Sequence, residues 1–272
     1  MVYAKKTMRF VINLLIFAVF FFPFYWLLSS SLKTLGETLQ FPPTLFPSEI
    51  QWSNYSDAIG SMNFFHYLKN SVIVTVSTMV LQLLNVVLAA YAFARYNFAG
   101  KRIAFLVVMV TMMVPAQLTF LPIFVMFSRW EIINTLPSLI LPFATSAFGI
   151  FMLRQNFKSI PNELIEAAKL DQASELTIVR KIMLPMARPT IVTLALLTFI
   201  GTWNEYFWPL VLTTTDNART LPVGIAAMIN QEAGTNFHIL MAGNMSLVIP
   251  IMIVYLLAHR HIVKAFTYIG GK

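Results

Sequence analysis

The chain has 272 residues, of which 58% are hydrophobic and only 11% charged, a balance that excludes an ordinary soluble domain and points to a membrane protein. A formal charge of +8 would suggest nucleic acid in a soluble chain, but here the basic residues stand between apolar runs, where they orient a protein in lipid, so membrane lipid and not nucleic acid is the expected surrounding. The absence of cysteine excludes disulfides and thiolate metal sites.

Apolar runs long enough to cross roughly 30 Å of hydrocarbon at about 1.5 Å per residue recur along the chain. Lys5, Lys6 and Arg9 precede the first, as in a signal peptide, but the run is longer than a usual signal core and lacks a small-residue cleavage site. It is read as a retained span over 10–31, with Tyr25 and Trp26 near its far end at the interface. A hydrophilic segment over 32–70, with the turn-forming Phe41-Pro42-Pro43, is predicted to fold outside the membrane with short helices. Span two covers 71–94 and leads into a basic connector, 95–102. Span three, 103–127, contains Pro115 and Pro122, whose missing amide donors should kink or interrupt it. Span four, 136–153, contains Pro142. A polar and basic stretch over 154–189 separates it from span five, 190–212; a loop over 213–239 leads to span six, 240–258.

Six spans put both termini on one side. Of the 19 Lys and Arg residues, 15 fall on that side, and only Lys33, Lys69, Arg129 and Arg219 fall opposite. The positive-inside rule then places both termini and the 154–189 stretch in the cytoplasm.

Within that stretch, Ser159 and Pro161 suit a helix start, and Glu163 and Glu166 fall in its early turns, predicting a helix over 161–170. Asp171 and Gln172 interrupt the pattern. Ser174 followed by Glu175 starts a second helix with an apolar stripe at Leu176, Val179, Ile182, Met183 and Met186, ended by Pro185 and Pro189. Two short helices joined by a sharp turn fit either a surface helix resting on lipid headgroups or a docking element for another protein.

The spacing Glu166-Ala167-Ala168, Asp171, Ala173, Ile182, Leu184 and Pro185 resembles the EAA loop of permease subunits in binding-protein-dependent ABC importers, and it stands between the fourth and fifth of six spans, as in that family. Tyr91-Ala92-Phe93-Ala94-Arg95, Trp203-Asn204-Glu205-Tyr206-Phe207-Trp208-Pro209, Thr220-Leu221-Pro222-Val223-Gly224 and Met241-Ala242-Gly243 are similar to further segments of its carbohydrate-importer branch, which includes the maltose and glycerol-3-phosphate permeases. The chain departs from the pattern at Gln172, where the family has Gly; a non-Gly residue in a left-handed conformation costs on the order of 1 kcal/mol, so the turn is expected to be strained or reshaped.

The resemblance implies an all-α membrane protein, a single permease domain of six transmembrane helices with a cytoplasmic coupling loop, as in type I ABC importers of the bacterial inner membrane. It implies that Glu166, Ala167, Ala168, Asp171, Gln172, Ala173, Ile182, Leu184 and Pro185 couple to an ATPase. It also implies that this chain is not an enzyme and carries no cofactor of its own. No phosphate-binding loop is present, since Gly100-Lys101 would need glycine at Arg95, so ATP and Mg are expected to belong to the partner. The implied partners are two ATP-binding cassette subunits, a second, homologous permease and an extracellular solute-binding protein. The binding protein is expected to meet the 213–239 loop through Asp216, Arg219, Asn230, Gln231 and Glu232, although a solvated connector fits the same composition.

Asn204 and Glu205 in span five are expensive in lipid unless paired or facing water. Glu205 is therefore read either as part of the translocation pathway, with Trp203, Asn204, Tyr206 and Trp208, or as a packing contact. Asn85 reads as a helix-to-helix contact. An ion-driven secondary transporter would lead one to expect inverted repeats, broken helices near the midplane and several intramembrane acids, of which only Glu205 stands out; an intramembrane protease would need a Ser-His or paired-Asp arrangement, which is not evident.

Overall fold

The computed structural model describes residues 2–229 and 236–267, and every regular element among them is helical. Among the described residues three helices are long and apolar enough to cross a membrane: α1 (Val2–Ser31), α4 (Phe64–Arg95) and the last helix, whose candidate span is Phe237–Leu257. Three further candidates are pairs of shorter helices bent at a break, which brings the total to as many as six.

Between α1 and α4 lie α2 (Leu35–Leu39) and α3 (Ser53–Gly60), the short helices expected there, although α4 begins at Phe64, within the predicted loop. Thr34 and Glu37 form a reciprocal capping box at the start of α2, and Asn54 of α3 donates to the Ser31 and Lys33 carbonyls at 2.9 and 2.8 Å, closing the free end of α1. Lys33 is buried, donates to the Thr44 carbonyl and lies 4.6 Å from the Trp26 ring.

Predicted span three is two helices, α5 (Lys101–Thr111) and α6 (Phe120–Arg129), bent by 97°. Pro115 makes this break, holding an extended backbone (φ −60°, ψ 129°) before a single 3-10 turn over Ala116–Thr119. Pro122 does not interrupt, because it sits in the first turn of α6, where no intrahelical donor is needed. Span four is α7 (Leu136–Ile140), a 3-10 turn at Leu141–Phe143 containing Pro142, and α8 (Ala147–Ser159), bent by 44°. Because α8 runs to Ser159, Arg154 and Lys158 are helical and not the start of a loop. Arg154 is held there by donating to the Phe93 carbonyl at 3.1 Å and stacking 3.9 Å from the Phe105 ring.

The polar stretch contains α9 (Asn162–Leu170), α10 (Glu175–Ile178) and α11 (Leu184–Met186), with a π turn over Val179–Met183. Pro185 therefore does not end the second helix. In the wide π turn Leu184 N–H donates to Val179, five residues back, and the chain passes Pro185 before reaching Ala187, where the helix closes. After an 82° bend, α12 (Arg188–Trp203) begins with Pro189 in its first turn. Span five is also not continuous: α12 stops at Trp203 and α13 (Phe207–Leu212) starts after the Asn204–Tyr206 break. The predicted 213–239 loop contains α14 (Leu221–Ala226), whose Leu221, Val223 and Ile225 are buried, and the last described helix, α15 (Phe237–Thr267), extends past both predicted boundaries of span six.

The chain divides into two compact units. The first holds the residues up to His66 together with Leu221–Pro250, and the second holds Tyr67–Thr220 and the residues from Ile251. In the first unit the apolar side chains of α1 from Met8 to Phe24 are exposed along almost the whole helix. The second unit has a core in which Val86, Ala90 and Tyr91 of α4 meet Ile150, Leu153 and Phe157 of α8. Gly149 permits this close crossing, since a Cβ there would lie 3.0 Å from Val86 Cγ2.

Candidate functional site

The α9–α11 segment is seated on that core. Ile165, Ile178, Val179 and Met183 are buried in it, and Ala168, Ala173, Ile182 and Leu184 pack partly against it. The turn between α9 and α10 is a Schellman closure: Ala173 N–H donates to Ala168 O and Gln172 N–H to Lys169 O, each at 3.0 Å, with Gln172 left-handed at φ 58°. The turn thus keeps the geometry that glycine would favour, and Gln172 carries the strain. Ser174 then caps α10, accepting from Thr177 N–H.

Two side chains of α4 fix the segment from below. The Arg95 guanidinium donates to the Phe157 and Ile160 carbonyls at 2.6 Å each and to Asn162 Oδ1, joining the end of α8 to the start of α9. Tyr91 donates its hydroxyl to Glu175, which also pairs with Lys169 at 3.2 Å across the Gln172 turn. That hydroxyl foremost, with Lys169, holds the Glu175 carboxyl below the usual carboxylate range.

The second polar site surrounds the break in span five. Asn204 Nδ2 donates to Ile200 O at 2.9 Å, and Glu205 Oε1 accepts from Trp208 N–H at 3.3 Å, so the two polar residues close the helix ends on either side of the gap. A cavity of about 220 Å³ opens here, with Ser71, Gln82, Thr198, Thr202, Glu205 and Thr220 as its polar lining. Its walls include Phe143, Trp203 and Trp208. The Trp208 ring makes edge contacts with Phe120, Phe143 and Phe207, and Trp203 stacks on Phe199 at 5.7 Å. From α4, Gln82 donates to Phe143 O at 3.2 Å and lies in contact with the Thr198 hydroxyl, while Asn85 donates to Ala144 O at 2.8 Å. These amides satisfy carbonyls exposed by the break in span four, the contact role expected of Asn85.

Residues 85–268 match the family model for the inner membrane component of binding-protein-dependent transport systems. The chain belongs to this family. It is 31% identical to the arabinooligosaccharides transport system permease protein AraQ of Halalkalibacterium halodurans, across 92% of this chain and 91% of that protein. It is 34% identical to the diacetylchitobiose uptake system permease protein NgcG of Streptomyces coelicolor, across 88% and 80%. Its fold is similar to that of a chain in the crystal structure of a bacterial ABC transporter involved in the import of the acidic polysaccharide alginate, with a TM-score of 0.82 and 26% identity over 94% of this chain and 97% of that one.

As a member of this family the chain is a membrane-spanning, non-catalytic permease subunit, and the secondary-transporter and protease readings fall. Its all-α architecture is the expected one. The residues read as coupling to an ATPase divide by direction: Glu166, Ala167, Asp171, Gln172 and Pro185 are exposed, whereas Ala168, Ala173, Ile182 and Leu184 are half-buried on this chain's own core. Sequence reasoning missed Leu170 and set Leu176 on one apolar stripe with Val179 and Met183, which are buried; Leu170 and Leu176 are 85% and 71% exposed and flank the turn. Two large apolar side chains beside a left-handed residue were the available signal. Of the pathway residues, Trp203, Glu205 and Trp208 line the cavity, while Asn204 and Tyr206 are exposed. Asp216 and Arg219 pair with each other at 2.7 Å. Asn230, Gln231 and Glu232 lie outside the described residues.

Proposed function

We propose that this chain is one of two homologous permease subunits of a bacterial ABC importer for a sugar or oligosaccharide, driven by two ATPase subunits that bind ATP and Mg and supplied by an extracellular solute-binding protein. The six spans act as a single permease domain in the inner membrane with both termini cytoplasmic, the arrangement that the 15-to-4 division of basic residues supports. The sugar assignment draws on the oligosaccharide substrates named for the two permease relatives.

One observation carries the coupling role. The turn between α9 and α10 presents Ala167, Leu170 and Leu176 outward from a segment whose opposite face is fixed to α4 and α8. An exposed apolar knob on a rigid base suits insertion into a cleft of another protein, and motion of that protein is then transmitted to α4 through Arg95 and Tyr91. The cavity at Glu205 is read as part of the pathway, and the Asp216–Arg219 segment, with Asn230, Gln231 and Glu232, as the contact for the binding protein.

Changing Ala167→Arg or Leu170→Asp, both outward-facing, should leave membrane insertion intact and abolish co-purification with the ATPase. Normal assembly and uptake in both variants would refute the docking role.

A further inference from the structure

The cavity beside the span-five break holds more than the mechanism of coupling requires. At about 220 Å³ it exceeds by an order of magnitude the ~10–15 Å³ that one water needs, and its mainly apolar lining carries polar partners at Ser71, Gln82, Thr198, Thr202, Glu205 and Thr220. Thr220, in the lining, is 4% exposed, and its hydroxyl has no hydrogen-bond partner among the described residues. A buried hydroxyl left in this condition beside a cavity is ordinarily satisfied by something the cavity admits.

The chemistry of that occupant follows from the lining. Hydroxyls from Thr198, Thr202 and Thr220 and the Gln82 amide can exchange hydrogen bonds with hydroxyl groups, while the Phe143 and tryptophan walls match apolar C–H surface. Among the described residues the one ionisable side chain in the lining is Glu205, and no Lys, Arg or His joins it there. Arg219, next in the chain to Thr220, is engaged by Asp216 at 2.7 Å and is not part of the lining. An anionic group entering the cavity would meet a carboxylate with no compensating cation, in surroundings where charges interact far more strongly than in bulk water.

We propose that this cavity receives an uncharged, hydroxyl-rich unit of the transported solute and that Glu205 excludes anionic solutes from it. The proposal rests on the sugar-importer reading and makes it narrower: this subunit contacts solute directly, and its site suits neutral sugars over acidic ones.

The natural absence of cysteine allows a direct test. Thr202→Cys and Thr220→Cys are introduced singly into the complete complex in proteoliposomes, each with and without Glu205→Gln. Modification of this chain by cationic and anionic methanethiosulfonate reagents is read by mass spectrometry, with rates normalised to a free thiol. With Glu205 present, the normalised rate should favour the cationic reagent by about tenfold, and Glu205→Gln should bring the ratio close to one. Arabinotriose should slow labelling, and trigalacturonate should not. No labelling at either position, a ratio indifferent to Glu205→Gln, or equal protection by the two sugars would overturn the proposal. Uptake measured in the same vesicles separates the two levels. A complex that hydrolyses ATP but carries no sugar overturns the importer reading, whereas sugar uptake without charge-selective labelling overturns only the role of the cavity.

Discussion

Replacing Arg95 with lysine tests whether α4 fixes the coupling segment. The guanidinium donates to two backbone carbonyls, Phe157 O and Ile160 O, and to Asn162 Oδ1 in a forked geometry that a single ammonium cannot reproduce. Lysine can retain about one of the three contacts. Hydrogen bonds to a charged group contribute roughly 1.5–3 kcal/mol each, so losing two at the lower value weakens the α8–α9 junction by about 3 kcal/mol. If the segment opens locally, that loss multiplies the open population by about 150. Hydrogen–deuterium exchange of peptides covering 157–170 should accelerate by on the order of a hundredfold in Arg95→Lys, while exchange in α1 stays unchanged as an internal control. An acceleration below about threefold would show that core packing alone holds the segment and would sink the argument that α4 transmits force through Arg95.

Gln172→Gly should relieve the left-handed strain and stabilise the turn by up to about 1 kcal/mol, slowing exchange at 168–173 several-fold, whereas Gln172→Val should speed it; equal behaviour of the two variants would contradict the Schellman assignment. Gly149→Ala forces a Cβ to 3.0 Å from Val86 Cγ2 and should cost about 1–3 kcal/mol in thermal unfolding, with recovery on adding Val86→Ala; the absence of recovery would locate the strain elsewhere. The pH response of the Glu175 contacts follows from its depressed titration. Their stabilisation is fully present above the unfolded value of about 4.3 and is lost as pH falls through the lower folded value. Complex assembly should therefore be flat between about pH 6 and 8, and Tyr91→Phe, which removes the leading cause of the depression, should move the acidic limb upward. A limb left in place would exclude the Tyr91 hydroxyl as that cause.

Apolar run length made the spans visible, because crossing lipid imposes a length that few other structures require. The α9–α10 turn was legible down to the strained residue through the resemblance, which has glycine where this chain has Gln172, the one position of the Schellman closure that demands positive φ. The internal breaks were less so. Pro115 signalled one, but Asn204–Tyr206 has no proline; its signal was a pair of polar side chains able to cap the two helix ends, which composition alone assigns equally to pathway or packing. Pro185 misled because a π turn carries the chain past it, and the register of backbone hydrogen bonds is not written in residue type. The short helix α14 read as loop because Leu-Pro-Val-Gly has neither helical length nor a clear period, and only tertiary burial of Leu221, Val223 and Ile225 explains it. Leu170 and Leu176 were hidden for the opposite reason: a leucine at helical spacing from other apolar residues, as Leu176 is from Val179 and Met183, reads as core even where it faces outward.

The amides of Gln82 and Asn85 also bear on how the protein is made. Carbonyls left open in lipid cost several kcal/mol each, so the α7–α8 pair, interrupted at Phe143 and Ala144, is poorly suited to enter a bilayer alone. The uninterrupted helix that satisfies those carbonyls precedes it in the chain. Translation from the N-terminus therefore delivers α4 to the membrane before the broken segments that lean on it, and the order of synthesis becomes an order of assembly.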